Sequence, residues 1–174
     1  MRISALISLI PAVLALAVSG CQHSDGHIAM SRQAQSTALS EINAVLDSFH
    51  DAAAIADLGR YFGHLTEDAV FLGSDASERW PRETFRAFAE PYFQGETAWA
   101  YTPRDRSVSL SDDGRTAWFD ETAVNNKYGA LRGSGVLVYE VDGVWRIAQY
   151  NLMFTIPNKI AGEVVKMIKA NESD

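Results

Sequence analysis

The sequence is poor in cysteine, which crosslinks many small domains, and has fewer basic than acidic residues. Its 174 residues include one cysteine, Cys21, so no disulfide can form within the chain. Basic residues number 15 against 22 acidic residues and form no cluster, whereas nucleic-acid binding depends on Lys and Arg that neutralise phosphates. The composition therefore predicts one domain held together by packing alone, and no nucleic-acid partner is expected.

Histidine is also scarce, and its spacing does not suit a metal site. Of the four histidines, only His50 and His64 fall where folded segments are predicted. A protein metal site needs three or four clustered ligands. The sequence therefore predicts neither a metal nor any other cofactor.

No apolar run reaches the roughly 20 residues that a membrane-spanning helix needs. The longest run, residues 3–18, follows the positively charged Arg2, an arrangement typical of a cleaved secretion signal. It ends at Val18-Ser19-Gly20-Cys21, which resembles the lipobox of bacterial lipoproteins. We predict that residues 1–20 are a lipoprotein signal peptide and that Cys21 carries the lipid. The alternative is an ordinary signal peptide followed by an unmodified cysteine.

The segment that follows, residues 21–36, is polar and lacks a sustained apolar period, so it is predicted to be a flexible tether. A lipid on Cys21 would make the membrane a partner without any spanning helix. Gln22 follows the cysteine, instead of the Asp that retains lipoproteins of this class at the inner membrane. We therefore expect a cell-envelope protein, placed on the periplasmic face of the outer membrane if the cell is Gram-negative.

Helical periodicity comes first in the rest of the chain, and β patterns follow it. Ser36 or Thr37 is placed to cap an amphipathic first helix, and Asp57 to cap a short second helix. The strands are predicted over residues 68–73, 98–110, 116–125, 131–141 and 144–154, with a third helix after the first strand and a last helix after the final strand. Helices followed by antiparallel hairpins predict an α+β domain over residues 37–170.

Several local strings carry a resemblance to a known family. The longest are residues 65–73 (LTEDAVFLG) and 143–152 (GVWRIAQYNL). With the order of the elements, they resemble the SnoaL-like branch of the nuclear-transport-factor-2-like (NTF2-like) family over about residues 38–170. The resemblance implies a cone-shaped, curved antiparallel sheet wrapped around the N-terminal helices, with a short C-terminal helix, one internal pocket and often a homodimer. Members include polyketide cyclases, ketosteroid isomerase, dehydratases and non-enzymatic binders, so the fold leaves function open.

Alternation along the predicted strands assigns candidate site residues to faces. Trp118 and Asp120 share one face of a strand, while Phe119 and Glu121 share the other. If Trp118 points inward, Asp120 is a carboxylate among apolar side chains, a setting that suits acid–base catalysis. The alternative is that Asp120 pairs with Arg132 or faces solvent.

The last two strands add amides and glycines to the predicted pocket. Gln149 and Asn151 share a face with Ile147, a natural core residue, so both are expected to point inward and orient a ligand. The alternative is an internal polar network without a ligand. Gly133 and Gly135 lie in the preceding strand and indicate a bulge or a close approach of the backbone to a bulky group.

Aromatic residues are plentiful, and several are predicted to line the pocket and hold a flat hydrophobic ligand. The predicted ligand-binding residues, besides the two amides, are Trp118, Trp80, Tyr92, Tyr101, Tyr128 and His50.

Three functions follow from these residues. The first is a tethered pocket that binds a small apolar or aromatic molecule. The second is an isomerase, cyclase or dehydratase type of enzyme, with Asp120 as the base and Tyr128, His50 or Tyr150 polarising a carbonyl. The third is an envelope protein whose outer sheet face binds a protein partner. A homodimer through that same face is expected in addition.

Overall fold

The computed structural model of the protein describes residues 30–171. The helices are α1 (Arg32–Ala54), α2 (Leu58–Gly63), α3 (Arg82–Ala89) and α4 (Ala161–Asn171), and the strands are β1 (Leu65–Leu72), β2 (Arg79–Pro81), β3 (Thr102–Leu110), β4 (Thr116–Asn125), β5 (Gly129–Tyr139) and β6 (Trp145–Phe154). Two short 3₁₀ helices, Glu90–Gln94 and Asn158–Ile160, follow α3 and precede α4. The predicted signal peptide and lipid attachment at Cys21 lie outside the described residues.

The first helix begins earlier than the sequence pattern indicates. Ser31 caps α1, and its Oγ accepts a hydrogen bond from the Ala34 amide at 3.1 Å. The prediction of a cap at Ser36 or Thr37 is therefore wrong, and the last five residues of the predicted tether, residues 32–36, are helical. These residues are exposed and, apart from Ala34, polar, so no buried face marks this part of the helix.

The strands form one six-stranded sheet in the order β2-β1-β6-β5-β4-β3. Strands β3 to β6 pair antiparallel in succession, as the hairpin pattern predicts. Strand β1 pairs parallel with β6, and the short β2 extends the sheet beyond β1. The predicted fold class is confirmed, with N-terminal helices, a curved sheet that does not close and a short C-terminal helix. The parallel β1–β6 pair and strand β2 were not predicted.

The helices pack on the concave face of the sheet through aromatic rings. Asp57 caps α2, as predicted, and its Oδ1 accepts from the Arg60 amide at 3.0 Å. This short helix contributes the buried Tyr61, whose ring stacks on Phe49 of α1 with centroids 4.2 Å apart. Phe85 of α3 lies against the same group of rings. Each ring removes a large apolar area from water, so this cluster is the main source of core stability.

The C-terminal helix contributes little to this core. No residue of α4 is buried, and Met167 is 66% exposed. Within residues 30–171, no helix is long and apolar enough to cross a membrane.

Candidate functional site

Strand β4 presents a different face to the interior from the one predicted. Phe119 and Glu121 are buried, whereas Trp118 is 51% exposed and Asp120 is exposed. The prediction that Trp118 and Asp120 point into the pocket is therefore wrong. Alternation establishes which residues share a face but not which face is inside, and the large Trp118 side chain favoured the wrong choice. The inward carboxylate of this strand belongs to Glu121.

Glu121 is held by side chains from three different elements. The Nε2 atom of His50, on α1, lies 2.5 Å from Glu121 Oε1. Arg106, on β3, donates from Nε to Oε2 at 2.7 Å. The hydroxyl of Tyr150, on β6, donates to Oε1 at 3.3 Å. The Glu121 side chain is completely shielded from solvent, so these contacts replace water around its carboxylate.

A bulge in β3 brings Arg106 to this carboxylate. Arg104 pairs with Thr122 and Ser107 pairs with Asp120, so two residues of β3 lie opposite the single residue Glu121. The extra residue, Asp105, has a left-handed φ of 51°. The bulge turns Arg106 toward the inner face of the sheet, a common device beside functional sites.

Arg106 also connects the carboxylate to helix α1. Its Nη1 donates to Asp47 Oδ1 at 2.7 Å and to the Asn43 carbonyl at 3.3 Å. One guanidinium thus bridges the sheet and the helix, which orders both sides of the Glu121 site.

The pKa values of Glu121 and Tyr150 are shifted in opposite directions at this site. Burial by itself raises the pKa of Glu121, but the hydrogen bonds and positive charges of His50 and Arg106 outweigh it and hold that pKa below its usual value. Burial, and then the negative charge of Glu121, raise the pKa of Tyr150 well above its usual value. Glu121 is therefore an ionised acceptor, and Tyr150 is a protonated donor.

A second bulge decides which residues of β6 face inward. Leu137 pairs with Ile147, but the preceding Val136 pairs with Gln149, so Ala148 is an extra residue in β6. Beyond it the faces exchange, which leaves Tyr150 buried and Gln149 exposed. The prediction that Gln149 and Asn151 point into the pocket is wrong for this reason, because unbroken alternation from Ile147 does not hold across a bulge.

Gly133 of β5 makes room for the network, as the glycine pattern of this strand indicated. A Cβ atom on Gly133 would lie 2.5 Å from the Tyr150 hydroxyl and 3.1 Å from Glu121 Cγ. The predicted close approach to a bulky group is therefore confirmed, and the bulky groups are the two side chains of the site.

A cavity of about 500 Å³, here called the outer cavity, opens beside this network. Its aromatic walls are Phe71, Trp80, Phe85, Phe88, Tyr92, Trp99, Tyr101 and Tyr128. The predicted ligand-binding residues Trp80, Tyr92, Tyr101 and Tyr128 thus come together as expected. Charged side chains on this lining are Glu78 and Lys127.

A smaller cavity of about 20 Å³, here called the inner cavity, lies between the outer cavity and the Glu121 network. The two cavities share the walls formed by Phe71, Trp99, Tyr101 and Leu152. The inner cavity also contacts His50 and Tyr150, both of which bind Glu121. His50 therefore lies on a cavity wall, as predicted. Its ring is held by the carboxylate of Glu121, a residue that the sequence pattern assigns to the opposite face of β4.

Solved structures with the same architecture define the class of protein. An NTF2-like protein of unknown function from Pseudomonas putida KT2440 aligns with a TM-score of 0.60 at 14% identity, covering 71% of this chain and 91% of that chain. A ketosteroid isomerase-like protein from Erwinia carotovora atroseptica aligns with a TM-score of 0.52 at 18% identity, covering 68% and 97%. Identities this low establish the fold alone, which is that of NTF2-like proteins.

The family is established by the sequence. Residues 42–157 match the SnoaL-like domain, and this span is about two thirds of the chain, so the protein belongs to the SnoaL-like family. The resemblance drawn from the two strings, residues 65–73 and 143–152, is confirmed. A comparison with curated proteins found no match.

Proposed function

We propose that this SnoaL-like domain binds a small apolar or aromatic molecule in the outer cavity. The observation that carries the proposal is the cavity itself, whose volume of about 500 Å³ is bounded mainly by aromatic rings. Ligand sites in proteins are typically apolar clefts of about 300–1,000 Å³ with a few polar groups. A family with binders among its members is compatible with this role.

The rings of the outer cavity already lie in the parallel orientation that suits a flat ligand. Phe85 stacks on Phe71 with centroids 4.0 Å apart and on Trp80 with centroids 5.6 Å apart. Trp80 also stacks on the exposed Phe88 at 4.5 Å. A planar molecule can extend such a stack without reordering the side chains, which keeps the entropic cost of binding low.

Trp80→Ala is the variant that tests the pocket most directly. Because Trp80 is a half-buried wall of the cavity, its removal is expected to weaken binding of 2-tetralone or 2-naphthol about tenfold or more. Isothermal titration calorimetry with the full chain measures the affinity. The matched control is Trp118→Ala, which removes the same side chain from the opposite face of the sheet and should leave the affinity unchanged. Equal losses in both variants, or no binding by the wild type, would contradict the proposal.

We also propose that the domain is tethered to a membrane through a lipid on Cys21, on the sequence pattern alone. In a bacterial host, the full chain should incorporate a labelled fatty acid and fractionate with membranes. Cys21→Ser should abolish both. The control variant Ser19→Ala, two residues before the cysteine, should preserve labelling because it keeps a small residue at that position. Labelling that survives Cys21→Ser would refute the lipid attachment.

The two other predicted functions receive no support from the site. Asp120 is exposed on the outer face of the sheet, away from both cavities, so an enzyme that uses Asp120 as its base is not proposed. A homodimer or a protein partner on the outer sheet face stays a prediction.

A further inference from the structure

The outer cavity has a polar end in addition to its aromatic walls. Lys127 and Tyr128, from the turn between β4 and β5, lie on its lining together with Tyr101. All three side chains carry hydrogen-bond donors, which are one ammonium group and two hydroxyls. The Lys127 Nζ lies 4.7 Å from the centre of the Tyr128 ring, and Tyr128 is close enough to Tyr101 to influence its pKa. Donors from two separate segments therefore meet at one end of the cavity.

Two of these donors have no acceptor of their own. Among the described residues, the Lys127 ammonium pairs with no carboxylate and the Tyr101 hydroxyl has no hydrogen-bond partner. Burial, and then the neighbouring Tyr128, raise the pKa of Tyr101, so its hydroxyl stays protonated and able to donate. Lysine is likewise an ammonium at neutral pH. This end of the cavity therefore offers donors and a positive charge to whatever the cavity binds.

The other charged side chain on the described lining, Glu78, is engaged within its own loop. Its Oε2 accepts a hydrogen bond from the Asp75 amide at 3.1 Å, between β1 and β2. It forms no ion pair with Lys127 in the part of the chain that the structure describes. The charge of Lys127 is therefore left for a ligand to balance.

The turn that carries Lys127 and Tyr128 is fixed in place by Asn125. The Oδ1 atom of Asn125 accepts from the Lys127 amide at 2.8 Å and from the Tyr128 amide at 3.1 Å. Its Nδ2 donates to the Ala100 carbonyl at 2.9 Å, which ties the turn to the residue before Tyr101. The two segments that supply the donors are thus held together without a ligand, and a preorganised site costs less entropy to occupy.

We infer that the outer cavity binds an aromatic carboxylate, with its rings against the aromatic walls and its carboxylate bound by Lys127 and by the hydroxyls of Tyr101 and Tyr128. The inference rests on the proposed function, because it names the class of the flat ligand that the cavity holds. A carboxylate accepts several hydrogen bonds at once and carries the charge that balances an ammonium. A neutral aromatic molecule uses the hydroxyls but gains nothing from the charge.

The test compares 2-naphthoate with 2-naphthamide, which has nearly the same shape and no charge. Isothermal titration calorimetry with the full chain at neutral pH and low salt is expected to show 2-naphthoate binding about fivefold more tightly, the size of effect that a partly exposed charge pair provides. Added salt should weaken the binding of 2-naphthoate and leave that of 2-naphthamide unchanged, because salt screens only the charged pair.

Lys127→Met tests the ammonium directly. This variant keeps most of the side-chain length but loses the charge, so it should bind the two ligands with affinities equal to within about twofold. The matched control is Lys159→Met, which removes an exposed lysine that lines neither cavity. That variant should retain the wild-type preference for 2-naphthoate.

Asn125→Ala tests whether the turn positions the ammonium. It should lower the preference for 2-naphthoate to about twofold or less, and it should not change the ratio of the two affinities when Lys127→Met is already present. That ratio is the relevant readout, because a general loss of stability weakens both ligands equally. A fivefold preference retained by Asn125→Ala would show that Asn125 has no positioning role.

The wild type by itself already decides the main point, whether or not a variant folds. Equal affinities of the wild type for 2-naphthoate and 2-naphthamide would overturn the inference and leave the pocket proposal standing. A preference for 2-naphthoate that survives in Lys127→Met would also overturn it. Failure of both ligands and of 2-naphthol to bind would overturn the proposed function and this inference together.

Discussion

Glu121→Leu is expected to lower the free energy of unfolding by about 3–5 kcal/mol. Removing one partner of a buried ion pair leaves the other charge with less compensation, which costs more than the pair itself contributed. The Arg106 side chain is only 10% exposed and would retain Asp47 as its one anionic partner. Chemical denaturation measures the change, and the matched control is Asp120→Leu. That neighbouring residue is exposed, so its replacement should change stability by no more than about 0.5 kcal/mol.

The pH dependence of the same variant checks the cause of the loss. Because the pKa of Glu121 is lower in the folded protein than its usual value, its stabilising contribution is complete above that usual value. The contribution is lost as the pH falls through the lowered value, where the folded carboxylate takes up a proton. The stability difference between wild type and Glu121→Leu should therefore narrow in acid. A difference that stays constant between neutral and acidic pH would show that packing, and not charge, explains the loss.

Gly133→Val is expected to cost about 3 kcal/mol of stability. Even the first added carbon would lie 2.5 Å from the Tyr150 hydroxyl, closer than non-bonded atoms approach, so strand β5 or the Glu121 network must shift. The two branches of valine would extend the clash to the carboxylate. Thermal and urea unfolding measure the effect.

Ser134→Val provides the matched control for the glycine. Ser134 is the next residue of β5, half-buried on the opposite face, and valine is favoured in strands. Its replacement should change stability by less than about 1 kcal/mol. If both valine variants unfold at the same denaturant concentration, the close approach of β5 to Tyr150 and Glu121 is not what requires glycine there.

Local patterns predicted the elements well but the orientation of the site residues poorly. The aromatic walls Trp80, Tyr92, Tyr101 and Tyr128 were identified because abundant rings must surround any pocket in so small a domain. His50 was identified as a residue able to reach that pocket. Glu121 and Arg106 were missed as site residues. Alternation along β4 places Glu121 and Trp118 on opposite faces but does not show which of the two points inward.

Three features of the protein are determined by the sequence alone: the α+β class, the SnoaL-like family and the aromatic character of the pocket. These depend on apolar period, on turn residues and on short strings, all of which act over a few neighbouring positions. The tertiary structure decided which strand faces are inside and which groups meet. Two single-residue bulges, at Asp105 and Ala148, reversed the alternation and brought Arg106 and Tyr150 to Glu121. A bulge depends on how two distant strands align, and that register is set only when the sheet packs on the helices.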